Sequence, residues 1–510
     1  MRVLSRNYGF LLKIGVTILL VTAFDWLFPH SLTGTCIGAF AFLWLLGLIL
    51  ARPAVRHPQL SAAVALSLAT LFCVALAYDP GPLAWALFWS ALSIAALLPR
   101  TAGFDDAWRW AARLLLHGLS GPITPVADLL RLTRLRSRGG KVSLRSLVAL
   151  LALPLIGTAI FTALFANANP VIADILSRIQ LPTPGQLIEW TLVTLLVWPA
   201  LRPHRIVTRL SAHLPEPGIR LPGTSLPSVL LALGLFNALF ALQNGLDIAF
   251  LWSGAPLPAG MSMTEYVHRG AYPLIATALL AGFFVITMLR PGTATAANPL
   301  ARRLVALWVA QNVFLVASSA LRTIEYIEQF ELTAWRIAAL AWMALVATGL
   351  TLICWRMWFA RSARWLINAN ALAATFVLIP CCFVDLDASA AAWNVRHARE
   401  VGGAGSEIDL CYLRGMGASA LLPLIELEHR PLPPGTLDRV RYVRSKVFAS
   451  LSEQQATWES WTPHGASRLA RAQALLGPQP PQPLALKTGT FRNCDGSLGS
   501  APVLTDAPAQ

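Results

Sequence analysis

Charge is what this chain has least of. Asp, Glu, Lys and Arg together make up 13% of its residues, where a soluble domain carries about 25%. The shortfall is mostly acidic, with 25 Asp and Glu against 40 Lys and Arg and a formal net charge of +15. Cysteine is scarce too: seven in 510 residues, with no repeated spacing and no Cys/His cluster, exclude a disulfide scaffold and argue against a structural zinc module. There is no Walker loop, no nucleophile elbow and no His-Glu-x-x-His, and none of the nine histidines has another at i+4. An ATP-driven pump and a zinc protease are thereby disfavoured. The expectation is no catalytic set, no cofactor and no metal, with a membrane-embedded transferase left open.

What the chain has in abundance is apolar residues: 56% of the total, with a mean hydropathy of +0.59. A bilayer core needs about 20 mostly apolar residues per helix, because each backbone polar group must be satisfied within the segment. Eleven stretches qualify: 10–28, 33–50, 61–77, 83–98, 147–166, 187–201, 226–246, 272–289, 304–321, 337–355 and 365–384. The run 226–252 is broken by Gln243, Asn244 and Asp247, so it reads either as one tilted helix or as a helix with an interfacial turn, and ten or twelve spans remain open. The expected fold is therefore all-α, a polytopic helical membrane protein.

Basic residues alternate between the loops. One side holds Arg2 and Arg6, Arg52 and Arg56, nine basic residues in 100–146, Arg202 to Arg220, Arg290 to Arg303, and Arg356 to Arg364. The positive-inside rule makes that side the cytoplasm. An odd span count then puts the N-terminus inside and the C-terminus outside. The excess of positive charge reads as topology and as contact with anionic lipid on the cytoplasmic face, with no nucleic-acid partner. Within the loop 100–146, two helical patterns at 105–116 and 126–138 look interfacial, and Arg131, Arg134, Arg136, Arg138 and Lys141 are the expected lipid-binding residues. The alternative is ordinary topological charge with no specific partner.

Composition changes at residue 385. The chain divides into a transmembrane domain at 1–384, a small helical extracytoplasmic domain at 385–476, with patterns at 388–400, 408–426, 437–451 and 466–476, and a tail at 477–510. The tail, opened by Pro478, Pro480, Pro481 and Pro483 and then small polar residues, is expected to be disordered. Cys411 and Cys494 would share an oxidising compartment, either bridged or free.

Polar residues inside spans are expensive and default to functional hypotheses. Gln311, Asn312 and Asn368 read as packing amides or as substrate contacts; Lys13, Asp25 and Glu189 lie near span ends, where snorkelling suffices. Gly34 and Gly38 form one small-xxx-small pair. Two outer edges are rich in charge. Glu265, Tyr266 and Arg269 precede the eighth span, and Arg322, Glu325, Tyr326, Glu328, Glu331 and Arg336 crowd the loop after the ninth. Each is a solvated cap or the rim of a site.

Leu307-Trp308 with Gln311-Asn312, then Ser318, Arg322, Tyr326, Leu332-Thr333, Arg336, Trp342, Gly349 and Trp365-Leu366 before Asn368 form a recognisable series. Together with Glu265-Tyr266, Arg269-Gly270, Asp387, Asn394, Asp409, Tyr412-Leu413, Trp461 and Arg468 to Arg471, it resembles a bacterial family of polytopic membrane proteins catalogued as domain of unknown function number four-one-seven-three. One departure is Glu331, where that family more often has a small residue before Leu-Thr. The resemblance implies architecture and marks residues without implying an activity. Two functions from different classes follow: a sensor or accessory protein of the cell envelope with a protein partner, or a secondary carrier for a small molecule or lipid.

Overall fold

The computed structural model describes residues 2–56, 60–101, 103–128, 182–212, 225–253, 294–486 and 490–500, with scattered positions in 152–174 and 276–284. Seven helices among the described residues are long and apolar enough to cross a membrane: Gly9–Leu27, Leu60–Tyr78, Pro82–Arg100, Leu226–Trp252, Pro299–Phe330, Ala334–Trp358 and Ala363–Cys381. The protein is an all-α membrane protein with transmembrane helices. Of the other expected spans, 147–166 and 272–289 fall largely outside the described residues, whereas 33–50 and 187–201 form helices that are not among the seven.

The first bundle comprises α1 (Arg2–Leu27), α2 (Cys36–Ala51), α3 (Leu60–Tyr78) and α4 (Pro82–Leu97), with α5 (Ala107–Ser120), α6 (Pro184–Leu201) and α7 (Arg205–Ala212) beside it. Its core is built around Trp44 and Phe88, both fully buried, with ring centroids 5.8 Å apart. At the crossing of α2 and α3, a Cβ on Gly38 would collide with the backbone of Ala77, so only glycine admits that approach. Gly34 does not join it: the residue precedes α2 with φ +73° and faces the Glu459 carbonyl.

The second bundle comprises α8 (Leu226–Asp247), α9 (Pro299–Phe330), α10 (Ala334–Trp358) and α11 (Ala363–Cys381). The run 226–252 is one continuous helical segment, α8 passing into a π-helical turn at Ile248–Trp252. Trp308 of α9 sits at the bundle centre, 5.2 Å from Phe236 and 5.7 Å from Phe240. Helix starts follow local chemistry: Asn298, Thr333 and Ser362 each cap the following helix by accepting an amide hydrogen bond at its first turn.

The C-terminal domain comprises α12 (Leu386–His397), α13 (Leu410–Gly415), α14 (Leu421–Glu428), α15 (Pro434–Ala456) and α16 (Pro463–Leu476) around Leu413, Leu424, Val440 and Val443. The single helix expected over 408–426 is split, because Gly417 takes φ +58° between α13 and α14. Asp385 caps α12 and receives Ser419 Oγ at 2.7 Å and the Arg468 guanidinium at 2.5 Å. Burial alone would raise its carboxyl, but these partners hold it below the ordinary aspartate value.

The expectation of a disordered tail is corrected over 490–500. Strands β1 (Thr490–Arg492) and β2 (Leu498–Ser500) pair antiparallel, and Cys494 in their turn is bonded to Cys411 of α13. Arg492 pairs with Asp438 at 2.8 Å, Arg439 with Asp495 at 2.5 Å, and the Leu484 amide with Asp438 at 2.6 Å. The tail is ordered by ionic and covalent ties to α13 and α15 instead of by apolar burial, which is why composition does not announce it. Residues 501–510 lie outside the described residues.

Cys411→Ser should abolish the gel-mobility change that reduction produces in the intact protein. It should also lower stability by an amount on the order of 4 kcal/mol, the loop-closure value for a long bridge; equal thermal unfolding of variant and parent would contradict this.

Candidate functional site

Two polar features meet at the end of the second bundle that adjoins the C-terminal domain. The first is a line of amides and charges between α8 and α9. Asn237 Nδ2 donates to the Leu304 carbonyl at 3.0 Å, and Gln311 Nε2 donates to Asn237 Oδ1 at 3.3 Å. Two helical turns further along α8, Asn244 Nδ2 donates to the Gln311 carbonyl at 3.1 Å. Asn312, 1% exposed, turns its Nδ2 back to the Trp308 carbonyl at 2.8 Å. Among the described residues, Asn244 Oδ1, Gln311 Oε1 and Asn312 Oδ1 are buried without a hydrogen-bond partner.

The line ends in an ion pair. The Asp247 carboxylate, fully buried, binds the Arg322 guanidinium and also accepts from Gln243 Nε2 at 3.0 Å, while Trp252 Nε1 donates to Ser318 Oγ at 3.1 Å. Depth follows from helix geometry. The uncharged stretch between Arg303 and Arg322 rises about 28 Å at 1.5 Å per residue, close to the hydrocarbon thickness. Gln311 and Asn312 therefore lie mid-membrane and Arg322 at its boundary. A single buried charge there would be costly, and the pair neutralises both members.

The second feature is the turn joining α9 to α10. The loop expected over 322–336 is mostly helix, since α9 continues to Phe330 and leaves only three residues outside helices. Glu331 adopts φ 71° and ψ 159°, a conformation that is essentially glycine's and costs about 1–3 kcal/mol for other residues. The turn is gripped from several sides. Arg336 donates to the Phe330 carbonyl at 2.9 Å and to the Glu331 carbonyl, and its guanidinium lies 4.4 Å from the centre of the Tyr326 ring, which stacks on Phe330. From the C-terminal domain, Asn394 donates to the Leu332 carbonyl at 3.0 Å and accepts the Leu332 amide at 2.6 Å. Glu331 Oε1 accepts the Asp409 amide at 2.9 Å. Burial raises the Glu331 carboxyl above its ordinary value; the Asp409 amide opposes that, and the carboxylates of Asp409 and Glu400 reinforce it. A glutamate at this position thus supplies an acceptor that a small residue would lack.

A second seam joins the domain to the first bundle. The Thr35 amide donates to the Trp461 carbonyl at 2.9 Å, Trp26 lies 5.6 Å from Trp458, and His464 stacks on Tyr78 with Nδ1 3.0 Å from Asp79.

Of the residues singled out from sequence, Gln311, Asn312 and Arg322 share one interface, and Tyr326 and Arg336 share the turn above it. Asn368 stands apart: its Oδ1 accepts the Ala107 amide at 2.8 Å and ties α11 to the first turn of α5. Glu265, Tyr266, Arg269, Arg131, Arg134, Arg136, Arg138 and Lys141 lie outside the described residues. Sequence reading missed Asn237, although an asparagine within an apolar run was signal enough, and missed Asp247 as the partner of Arg322. Asn394 and Asp409 entered only through the family resemblance, as their role depends on a contact across the domain boundary. Among the described residues no group of three or more His, Cys, Asp or Glu is placed to hold a metal ion.

The model of one family, the domain of unknown function DUF4153, matches residues 40–427. The chain belongs to the DUF4153 family. The match begins within α2, leaves out α1, takes in the second bundle with the α8–α9 polar line, the Glu331 turn, Asn394 and Asp409, and ends within α14. No curated protein and no solved structure matches the chain.

Two stability experiments follow. Asp247→Leu or Arg322→Leu alone should cost about 3–5 kcal/mol by stranding the other charge, whereas the double variant should recover most of that loss; thermal unfolding in detergent reads both, and additive losses would contradict the pairing. Glu331→Ala keeps the strained backbone and loses the carboxylate, so it should unfold at lower temperature than Glu331→Gly, which loses the same acceptor but relieves the strain.

Proposed function

We propose that the protein is a sensor or accessory protein of the bacterial cell envelope, in which the C-terminal domain faces the outside and recognises a protein partner or envelope signal. The observation that carries this reading is the Glu331 turn. A backbone held in a glycine-like conformation by Asn394 and Asp409 sits at the end of α9, the same rigid helix that bears Gln311, Asn312 and Arg322. A domain that merely hung from the membrane would need no such clamp; one whose movement is passed to the bundle would.

The orientation rests on independent supports. The Cys411–Cys494 bridge suits an oxidising compartment, and the basic loops end the spans at the opposite face. Trp26, Trp335 and Trp458, all exposed near the domain, suit the outer headgroup level. An eleven-span bundle in the inner membrane, with the N-terminus cytoplasmic and the C-terminus extracytoplasmic, accommodates all of these.

One observation favours the second reading, a secondary carrier. The acceptor oxygens of Asn244, Gln311 and Asn312, buried and unpartnered among the described residues, are the groups a small polar solute would meet in a path between α8 and α9.

In a strain lacking the gene, a protein cut after residue 385 should fail to restore growth under envelope stress, and Asn394→Ala should restore it only in part. Full restoration by the truncated protein would overturn the sensor reading. Normal function of the truncated protein together with failure of Asn312→Ala would favour the carrier.

A further inference from the structure

At the end of the first bundle opposite the C-terminal domain, cations outnumber carboxylates. Lys13 of α1 stands within electrostatic reach of Arg52 after α2, Arg100 after α4 and Arg202 after α6. The carboxylate opposing them is Asp128, paired with Arg202 at 3.1 Å. Arg52 is 8% exposed; its guanidinium donates to the Ala96 carbonyl and meets no carboxylate among the described residues. Arg100 donates to the Pro203 carbonyl. The adjoining stretch 129–150 contains basic residues and no Asp or Glu. A guanidinium buried without an anion is costly, so the arrangement calls for an anion that the described residues do not supply.

His117 of α5 adds an uncharged polar group to the same corner. It is 2% exposed and its Nδ1 has no partner among the described residues. Burial, and then Arg52 and Arg100, push its imidazole down to about 4, so it stands neutral and adds a hydrogen-bonding nitrogen without further charge.

Beside this corner runs an open groove of about 300 Å³, walled by Leu116, Leu119, Ile123, Ala127, Ile206 and Leu210. Leu119 is 74% exposed and Ile123 66%, an apolar lining without protein cover among the described residues. Groove and cluster are neighbours along the chain, Leu116 preceding His117 and Ala127 preceding Asp128. Arg113 fixes the walls: it binds both oxygens of Asp105 at 2.6 and 2.7 Å and reaches Ser211 at 3.2 Å, locking α5 against α7.

We propose that this corner binds one anionic phospholipid, its phosphate among Lys13, Arg52, Arg100 and His117 and one acyl chain in the groove between α5 and α7. Surplus positive charge selects a headgroup with net negative charge, and the apolar groove selects a lipid over a free phosphate ion. The site is independent of what the C-terminal domain recognises.

Native mass spectrometry of the full-length protein in mild detergent tests this, with phosphatidylglycerol, phosphatidylcholine or inorganic phosphate added at equal concentration. Phosphatidylglycerol should be retained as a one-to-one adduct. Arg100→Gln and Lys13→Gln should each weaken retention about fivefold, as expected for one charge at a membrane surface, and Arg52→Gln at least as much. Arg303→Gln, an exposed cation on the second bundle, should leave it unchanged. Equal retention of phosphatidylcholine, displacement of the lipid by inorganic phosphate, or undiminished retention in Arg100→Gln and Lys13→Gln would each overturn the proposal. The last two variants keep the test open if Arg52→Gln does not fold.

Discussion

Hydrocarbon offers no partner to a polar atom, and the second bundle is organised by that constraint. Asp247 and Arg322 can be buried at the edge of α8 and α9 only because each neutralises the other, and this pairing fixes the register of the two helices. Once the register is set, Asn244 falls opposite the Gln311 carbonyl one turn deeper, and Asn237 opposite the Gln311 side chain and the Leu304 carbonyl. Trp308, among Phe236, Phe240 and Phe284, fills the space below. Because α9 is continuous from Pro299 to Phe330, the same register determines where the Glu331 turn is presented to the C-terminal domain.

That presentation turns an ordinary helix connection into a junction. Asn394 treats the Leu332 peptide as a strand neighbour would, matching one donor and one acceptor, and Asp409 lends its amide to the Glu331 carboxylate. The strain at Glu331 persists because the surrounding contacts over-determine it. On the other bundle, the backbone bond from Thr35 to Trp461 and the contact of Asp79 with His464 place the domain across both helix groups. Movement of the domain would therefore act on α2, α3 and α9 together.

Much of the transmembrane pattern is legible in the sequence, because an apolar run is a local signal. The spans at 61–77, 304–321 and 337–355 are examples. What could not be read are features that depend on residues far apart in the chain. Asp247 and Arg322 are separated by 75 positions, and nothing local to either names the other. Asn368 looked like a mid-membrane amide and instead serves the start of α5, more than 250 residues earlier. The tail misled for a different reason: its proline-rich composition truly lacks apolar surface, and its order comes from Cys494, Asp495 and Arg492 finding partners on α13 and α15. The charge of Glu331 was visible in the residues, but its role required the backbone angles.

The coupling of the C-terminal domain to α9 is tested most directly by hydrogen exchange of the intact protein in lipid nanodiscs, comparing the parent with Asn394→Ala. The structure predicts that the Leu332 and Asp409 amides are protected in the parent, and that the variant raises exchange at both and along α9 as far as Arg322. Fast exchange at Leu332 and Asp409 in the parent, or a change in the variant confined to α12, would contradict it.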